Sequence, residues 1–301
     1  MEVAVSLGIS EEHTELAASL RKWAASLGGP DLARVAEDDP AATFDEAWSA
    51  VGEMGVSTIA LPESAGGGGG SVLDLAVALE ACAHGLVPGP LLATAIASVV
   101  LPEGAATAGA VAGGARVGLG LAPSLLAGER LAGTVDVVWD APGATHLLLG
   151  GRETSGPEAW FVVPADRVVR PTPTQESSSG TRPGILDLSR RFGSVTVDVA
   201  IEEVEPVPGL DEASLRRAAL TLAAAEASGI ARWCLETAVE YAGVREQFGR
   251  KIGSFQAIKH LCAEMLETAE AITAAAWDAA SVAVTDDDQW AFAADVAGAV
   301  A

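Results

Sequence analysis

The sequence predicts an α+β fold with three consecutive domains: an N-terminal α-helical domain (residues 1–113), a small middle antiparallel β domain (114–207) and a C-terminal helical-bundle domain (208–301). Two observations support this fold class. Apolar and small residues recur at helical spacing in the first and last thirds of the chain. The middle third has short apolar runs separated by Gly, Pro and Asp, a pattern typical of strands joined by turns.

The N-terminal domain is predicted to contain helices whose first residues carry start signals. Ser10 can cap a helix over residues 10–29 and Ser71 can cap a later one, because a serine oxygen accepts hydrogen bonds from the free amides of a first turn. A shorter helix is expected from about Phe44 to Met54. The glycines at 66–70 lack the Gly-Lys-Ser/Thr sequence of a phosphate-binding loop, so we interpret them as a flexible loop before a helix.

Six segments of the middle domain are predicted as strands. Residues 195–199 alternate between apolar and polar side chains, as expected for a strand with one buried face. Residues 172–183 are rich in Ser, Thr, Pro and Gly and are predicted to form a mobile loop. The predicted strands are 117–121, 135–139, 146–149, 159–163, 184–188 and 194–199.

The C-terminal domain is predicted to begin with two long helices joined by a turn. Asp211 is the expected cap of the first helix and Ser254 that of the second. A third helix should begin near residues 285–288, where aspartates favour the positive end of the helix dipole. That helical pattern reaches Ala301 without a glycine, a proline or a basic last turn, so we expect the C-terminal domain to be incomplete.

Composition narrows the classes of partner. The 301 residues carry a formal net charge of −23, which argues against nucleic acid and anionic membranes as partners. No apolar run is long enough to span a bilayer. The first residues include Glu2 and no basic region, so we expect no signal peptide.

The cysteines and histidines suggest neither disulfides nor a metal. The three cysteines lie in helical patterns and the four histidines are scattered, without the spacing of a disulfide framework or a metal site. A reducing compartment is the better interpretation, and we predict a cytoplasmic protein without a bound metal.

The turn between the two long helices, here called the hairpin tip (residues 244–256), has the most informative composition. Arg245 offers a planar fork suited to phosphate oxygens, the phenylalanines offer flat faces, and the glutamines offer neutral donors and acceptors. These residue types can hold a dinucleotide. From residue types alone, the simpler interpretation is structural: Arg245 pairs with a nearby carboxylate and the phenylalanines close the hairpin core. The candidate binding residues are Arg245, Gln247, Phe248, Phe255 and Gln256.

The hairpin tip resembles the Arg-x-x-Phe-Gly…Phe-Gln segment of the acyl-CoA dehydrogenases. Residues 52–67 resemble the Pro-Glu and paired-glycine pattern near the start of that family, and residues 79–94 fit the same domain. The three matches occur in the family's order and cover roughly residues 10–100 and 210–285. On these residues the chain is identified as a member of the acyl-CoA dehydrogenase family.

The resemblance implies a helix–β–helix architecture, FAD as the cofactor and an acyl-CoA substrate. In such enzymes a carboxylate removes a proton beside the thioester carbonyl, and FAD accepts hydride from the next carbon. An electron-transfer flavoprotein is a possible electron acceptor. The family's Arg-x-x-Phe-Gly turn reaches the FAD of a neighbouring subunit, which implies that role for the five hairpin-tip residues.

Two departures from the family pattern concern the chain's own catalytic equipment. One family position of the base falls near Ala219 and the other beyond Ala301, so we assign no catalytic residue. Three glutamates lie on the same predicted helix, but their spacing from Arg245 differs from that of the base in the family. We expect them to be structural or solvated. They are Glu226, Glu236 and Glu240.

The β domain departs as well. Active members carry a Thr-Glu-Pro…Gly-Ser-Asp stretch that contacts the flavin and the acyl chain. Residues 118–125 keep Pro123 but have neither the acidic residue nor Gly-Ser-Asp. Trp139 is expected to be a core residue of the β domain and not a flavin platform.

These observations favour one hypothesis over two others. The chain is predicted to be the non-catalytic subunit of a heteromeric acyl-CoA dehydrogenase, in a heterotetramer with a catalytic subunit, acting on a bulky CoA thioester such as one with a steroid side chain. The alternatives are a homotetrameric dehydrogenase whose base lies beyond Ala301, and a helical scaffold without a flavin role.

Overall fold

In a computed structural model, residues 9–38, 44–153, 156–169, 187, 189–283 and 287–301 are described. Within these ranges the predicted α+β fold is confirmed, with helices at both ends of the sequence and a sheet in the middle. The predicted loop at 172–183 lies outside the described residues. So do the predicted strand at 184–188, apart from Asp187, and residues 285–286 at the predicted start of the third C-terminal helix.

The helices are α1 (Glu11–Ser26), α2 (Gly29–Asp38), α3 (Asp45–Met54), α4 (Val72–His84), α5 (Leu91–Val100), α6 (Ala106–Ala112), α7 (Glu212–Val244), α8 (Gln256–Val282) and α9 (Asp287–Val300). The strands are β1 (Val117–Ala127), β2 (Arg130–Trp139), β3 (His146–Arg152), β4 (Glu158–Pro164), β5 (Val168–Val169), β6 (Phe192–Ala200), β7 (Glu205–Pro206), β8 (Glu246–Gln247) and β9 (Arg250–Lys251). No helix among the described residues is long and apolar enough to cross a membrane.

Three predicted helix caps are confirmed. Ser10 Oγ accepts a hydrogen bond from the amide of His13 at 3.2 Å, at the start of α1. Ser71 Oγ accepts from the amide of Asp74 at 3.1 Å, at the start of α4. Asp211 Oδ1 accepts from the amide of Ser214 at 2.7 Å, at the start of α7. Each oxygen satisfies an amide that has no partner within its own helix.

The chain divides into two compact units. One comprises Met1–Gly29, Ser71–Val87 and Ala219–Ala301, and the other Pro30–Gly70 and Pro88–Ala218. The first unit therefore holds α1, α4, α8, α9 and most of α7. The second holds α3, α5, α6 and the seven-stranded sheet.

The sheet of the second unit is mixed, which corrects the prediction of an antiparallel β domain. Its strand order is β5-β6-β2-β1-β3-β4-β7, and β1 and β3 pair in parallel, with Leu119 opposite Leu148. The other neighbours are antiparallel. β6 occupies the edge of β2 that faces away from β1, so β3 cannot pair there. β3 pairs instead with the free edge of β1 and runs in the same direction as β1.

A cluster of buried apolar side chains from β1, β2, β3, β4 and β6 forms the core of this sheet. In β6 the side chains of Val195, Val197 and Val199 are buried, whereas Thr196 and Asp198 are exposed. The predicted alternation of residues 195–199 is therefore confirmed.

The five-glycine run precedes α4 as a loop, but its amides are already bonded. Gly68 and Gly70 donate to the carbonyls of Thr58 and Ile59 at 3.0 and 2.8 Å. A Cβ added at Gly67 would lie 2.3 Å from Leu61 Cβ, so this close packing requires glycine. These bonds fix the loop against the chain before it and leave those amides unavailable to a phosphate.

In the first unit, one buried carboxylate joins three helices. Glu80 on α4 is 5% exposed and accepts hydrogen bonds from Arg21 Nη2 on α1 and Trp277 Nε1 on α8, each at 2.8 Å. α7 also packs closely here, because a Cβ added at Gly229 would lie 2.2 Å from the Glu80 carbonyl oxygen. The base of the α7–α8 hairpin is thus held by direct contacts with α4.

Candidate functional site

The hairpin tip lies at the end of two long helices that are joined by polar contacts. α7 has 33 residues and α8 has 27. The hydroxyls of Ser228 and Thr273 are 2.6 Å apart, and Arg232 Nη2 lies 2.5 Å from Glu270 Oε1. These contacts between α7 and α8 fix the register of the helices and therefore the position of the tip.

The tip is a small β-hairpin. Gln247 pairs with Arg250 and Glu246 with Lys251, and the Ile252 amide donates to the Arg245 carbonyl at 2.8 Å. Phe248 and Gly249 form the two-residue turn with φ of +55° and +76°. Positive φ at both turn residues is the requirement of a type I′ turn, whose preferred sequence is Asn-Gly or Asp-Gly.

Phe248 combines two unfavourable features. Its φ is positive, which is a genuine outlier for a bulky residue, and its side chain is 93% exposed. The exposure excludes the interpretation in which this ring closes the hairpin core. Strained residues cluster at active sites and ligand clamps, so this outlier motivates a functional hypothesis.

The aromatic rings and one cation of the tip are stacked. The rings of Phe248 and Phe255 meet edge to face, with centroids 6.2 Å apart and an interplanar angle of 84°. Arg250 Cζ lies 4.0 Å from the centroid of the Phe255 ring, within the range of a cation–π contact. Phe255 is thus fixed from two sides, while Phe248 remains open to solvent.

Arg245 and Gln247 are exposed. Among the described residues no carboxylate forms an ion pair with Arg245, so the structure does not show the local pairing that the simpler interpretation required. Residues 245–251 contain three cations and one carboxylate in a chain with a formal net charge of −23. The tip is therefore a local cationic surface on an acidic protein.

The prediction that Ser254 caps α8 is wrong. α8 begins at Gln256, and its N-cap is Phe255, which forms no side-chain cap. Ser254 lies in a 3₁₀ turn over Ile252–Ser254, where its hydroxyl donates to the Lys251 carbonyl at 2.7 Å. The hydroxyl is therefore engaged by the hairpin before the helix starts.

Gln256 is held by a residue that the sequence reasoning missed. Its Nε2 lies 2.7 Å from His260 Nε2, one helical turn later. The spacing of four residues on one helix was the available signal. Arg250 and Lys251 were also missed as candidates, although the short hairpin places them beside Arg245 and Gln247.

The resemblance puts the family's early base position near Ala219, which is 6% exposed on α7 and has no ionisable group. Of the three glutamates considered on this helix, Glu236 accepts a hydrogen bond from His84 on α4, with 2.8 Å between Nε2 and Oε2. This contact gives Glu236 a structural role. Glu240 is exposed, and Glu226 is half-buried.

Segment 118–125 of β1, which departs from the family pattern, pairs irregularly and is closely packed. Its pairing with β3 shifts register on both sides of Pro123. A Cβ added at Gly150 would lie 2.8 Å from Pro123 Cα, so β3 packs directly on this segment. Its one side-chain hydroxyl, that of Ser124, donates to the Ala122 carbonyl at 3.2 Å.

Trp139 is half-buried at the end of β2. Its ring meets Phe192 of β6 edge to face, with centroids 6.1 Å apart, and Arg190 Cζ lies 5.9 Å from it. These neighbours belong to the same sheet or the turn before it. They agree with the expectation that Trp139 packs within the β region.

The possible metal ligands and one buried thiol can be located in the described ranges. No group of three or more His, Cys, Asp or Glu side chains there is arranged to hold a metal ion. Burial raises the pKa of the Cys82 thiol to about 12, which leaves it protonated and unreactive near neutral pH.

Two family models match the chain. Residues 10–110 match the N-terminal domain of acyl-CoA dehydrogenase, and residues 213–301 match its C-terminal domain. IpdE2, an acyl-CoA dehydrogenase of Mycobacterium tuberculosis, is 31% identical over 89% of this chain and 76% of its own length. The chain belongs to the acyl-CoA dehydrogenase family.

One further sequence relative and two solved structures match nearly the whole of this chain. The acyl-CoA dehydrogenase FadE34 of Mycobacterium tuberculosis is 35% identical over 97% of this chain, which spans only 40% of FadE34. The structure of a steroid ACAD, the Tcur3481–Tcur3483 G363A variant, matches with a TM-score of 0.80 and 28% identity, over 98% of this chain and 83% of that one. The ChsE4–ChsE5 complex from Mycobacterium tuberculosis matches with a TM-score of 0.75 and 25% identity, over 98% and 85%.

Proposed function

We propose that this chain is a subunit of an FAD-linked acyl-CoA dehydrogenase and that its hairpin tip completes the flavin site of a neighbouring, catalytic subunit. The reaction is the α,β-dehydrogenation of a CoA thioester. The flavin, when bound, supplies the hydride acceptor. This chain binds and orients the cofactor, and it contributes no base.

The single observation that carries the proposal is the state of Phe248. A ring that is 93% exposed, on a residue with φ of +55°, costs stability in the isolated chain. Rigid aromatic side chains of this kind are common anchors in binding sites, where they fill a partner's pocket. The strain and exposure are explained if the ring is covered in an assembly.

The side chains around Phe248 suit a dinucleotide. Arg245 is exposed and presents a bidentate donor for phosphate oxygens. Phe248 presents an open face for a planar ring. Gln247 is exposed, and Gln256 is oriented by His260 at 2.7 Å, so both carboxamides can donate to or accept from ring heteroatoms and ribose hydroxyls.

The chain's own catalytic positions support a division of labour between two subunits. The base needs a carboxylate within hydrogen-bond distance of the proton it removes, and Ala219 has none. The β1 segment around Pro123 offers a single hydroxyl, already bonded to Ala122. Neither of these two segments supplies a base, and we propose that the neighbouring subunit removes the proton.

The similar structures suggest the kind of assembly and substrate. The structure of ChsE4–ChsE5 is described as a complex. The other structure is named with two proteins, Tcur3481 and Tcur3483, and is described as a steroid ACAD. By analogy we propose a heterotetramer with a catalytic acyl-CoA dehydrogenase subunit, acting on a bulky CoA thioester such as one with a steroid side chain. An electron-transfer flavoprotein is the proposed electron acceptor, and the cytoplasm the proposed compartment.

The test is to purify the chain alone and together with the catalytic subunit that co-purifies with it from its native source. Flavin absorbance and acyl-CoA turnover are measured for both preparations. The proposal predicts flavin and turnover only in the complex. Stoichiometric FAD with turnover in the chain alone would contradict it and favour a self-sufficient dehydrogenase. A complex whose flavin content is unchanged by Arg245→Ala would favour a scaffold without a flavin role.

A further inference from the structure

Gln256 and His260 form a hydrogen bond whose direction follows from the two atoms that meet. Gln256 Nε2 lies 2.7 Å from His260 Nε2, one turn later on α8. A carboxamide nitrogen only donates, so His260 Nε2 is the acceptor in this arrangement. The imidazole is therefore neutral, with its proton on Nδ1, and the carboxamide oxygen of Gln256 points away from it.

The outward oxygen of Gln256 supplies a kind of group that is scarce at the hairpin tip. The side chains of Arg245, Arg250 and Lys251 carry only N–H donors. The one carboxylate of residues 245–251, that of Glu246, belongs to the residue directly opposite Lys251 in the hairpin ladder. A dinucleotide has amine and hydroxyl donors of its own, and a donor that becomes buried on binding needs an acceptor.

Protonation of His260 reverses the arrangement. An imidazolium carries a proton on both nitrogens, so Nε2 no longer accepts and the Gln256 nitrogen loses its partner. Rotation of the carboxamide restores a hydrogen bond, because the oxygen then accepts from Nε2–H. The nitrogen of Gln256 now faces outward, and the residue offers a donor in place of an acceptor.

We propose that His260 is the positioning residue of Gln256: its neutral imidazole keeps the Gln256 oxygen outward, where it accepts from an amine or hydroxyl of the bound dinucleotide. Imidazoles change charge between about pH 5 and pH 8, and the outward acceptor is lost as the pH falls through this range. The identity of the ligand rests on the proposed function, whereas the coupling between the two side chains does not.

The charges around His260 lie on α8 and on the hairpin before it. On α8 they are Lys259, the adjacent residue, and Glu264, one turn later. The hairpin contributes Arg250 and Lys251. Within the described ranges, no side chain outside α8 forms a hydrogen bond or an ion pair with His260. Exposed neighbours can therefore be altered as charge controls without breaking its bond to the glutamine.

The coupling is tested on the full-length chain alone by nuclear magnetic resonance. Selective nitrogen-15 labelling of glutamine gives side-chain signals from four residues, among them Gln256 and Gln247. Between about pH 8 and pH 5 the Gln256 signal should shift with the same midpoint as the His260 ring. Gln247, which has no histidine partner among the described residues, is the internal control. A Gln256 signal that does not titrate, or that titrates unchanged in His260→Phe, would overturn the inference.

The consequence for the cofactor is tested in the complex with the catalytic subunit, by measuring the dissociation constant of FAD at about pH 8, where free imidazoles are neutral. His260→Glu keeps an acceptor against Gln256, and His260→Lys replaces it with a donor. We expect the glutamate variant to bind FAD within about twofold of the unaltered complex. His260→Lys and Gln256→Ala should each weaken binding about tenfold, as for one lost hydrogen bond in a buried site.

These expectations oppose the effect of net charge, because an added cation attracts the phosphates of FAD and an added anion repels them. Two exposed neighbours are the matched controls: Lys259→Gln changes the charge as His260→Glu does, and Glu264→Gln as His260→Lys does. Both controls should stay within about twofold, since exposed charges are screened.

Weaker binding of FAD in His260→Glu than in His260→Lys would overturn the inference, and so would full affinity in Gln256→Ala. The proposed function is judged separately, by comparing the flavin content of the chain alone with that of the complex. The inference can therefore fail while the proposed function stands. Conversely, the resonance experiment can show the coupling in a chain that serves no flavin site.

Discussion

The ring of Phe248 meets the ring of Phe255 edge to face, with centroids 6.2 Å apart and planes at 84°. Phe255 is half-buried and lies beneath the Arg250 guanidinium, whereas Phe248 is 93% exposed. One phenylalanine thus belongs to the hairpin and supports the other, which faces outwards. This difference separates the stability of the tip from its function, and the two can be measured independently.

Phe248→Asn is predicted to stabilise the isolated chain while impairing the complex. Asparagine adopts positive φ more readily than phenylalanine and is preferred before glycine in a type I′ turn, so the free energy of unfolding should rise by about 1 kcal/mol. Denaturant unfolding of the chain alone measures this change. Gly249→Ala, at φ +76°, is the opposing control and should lower the free energy of unfolding. A destabilised Phe248→Asn chain would show that the ring serves the fold.

Glu80→Ala is predicted to destabilise the chain by about 3 kcal/mol, because it leaves the Arg21 and Trp277 donors without their acceptor. Both hydrogen bonds are 2.8 Å long, and the carboxylate is buried. Thermal or denaturant unfolding provides the measurement. Glu267→Ala, at an exposed position of α8, is the matched control and should have little effect. Similar losses in both variants would contradict the role given to Glu80.

The ion pair between the first turns of α1 and α4 is predicted to make the free energy of unfolding fall at acid pH. Burial alone would raise the pKa of Asp74, but hydrogen bonds from Ser71 and the charge of His13 outweigh it, so the pKa lies below its ordinary value of 3.8. His13 Nε2 lies 2.9 Å from Asp74 Oδ1. A lowered folded-state pKa stabilises the protein above the unfolded-state value, and that contribution is lost as the pH falls through the folded-state pKa.

The measurement is the free energy of unfolding from pH 7 to pH 3 for the natural chain and for Asp74→Asn. Above about pH 5 the variant should be less stable by about 1 kcal/mol, as for the loss of a helix cap. The difference should shrink below about pH 4. A difference that stays constant down to pH 3 would show that the Asp74 carboxylate contributes no more than its neutral form.

Local signals in the sequence predicted the helix starts but not all of the turn chemistry. The caps Ser10, Ser71 and Asp211 were found because a capping oxygen and the amide it accepts from lie within three residues. The same rule failed at Ser254, where the Lys251 carbonyl takes the hydroxyl. The Ser254 hydroxyl can bond either to the first turn of α8 or to the hairpin before it, and residue types alone do not show which bond forms.

Pairing between distant segments was harder to predict. The parallel pair β1–β3 depends on β6 occupying the far edge of β2, and β6 begins more than fifty residues after β2 ends. The contact of Glu80 with Trp277 is similarly distant along the sequence. Neither leaves a periodic or spacing signal.

The hairpin tip was found as a candidate site from its residue types and its resemblance to the family. Its exposure, the positive φ of Phe248 and the pairing of Gln247 with Arg250 required the three-dimensional structure. Arg250 was missed for this reason, whereas His260 was missed although its four-residue spacing from Gln256 is visible in the sequence. Their partners, Phe255 and Gln256, were both named from the sequence.

The most direct measurement of the central claim is the ratio of FAD to protein in the complex with the catalytic subunit, when only this chain is altered. Phe248→Ala removes the exposed ring of the tip, and Phe292→Ala removes a ring on α9 that is 74% exposed. We predict that the first variant loses at least about half of the bound FAD, since an aromatic anchor typically dominates its contact, and that the second retains it. Full FAD occupancy in the Phe248→Ala complex, or equal losses in both complexes, would show that the exposed ring of the tip does not help to hold the flavin.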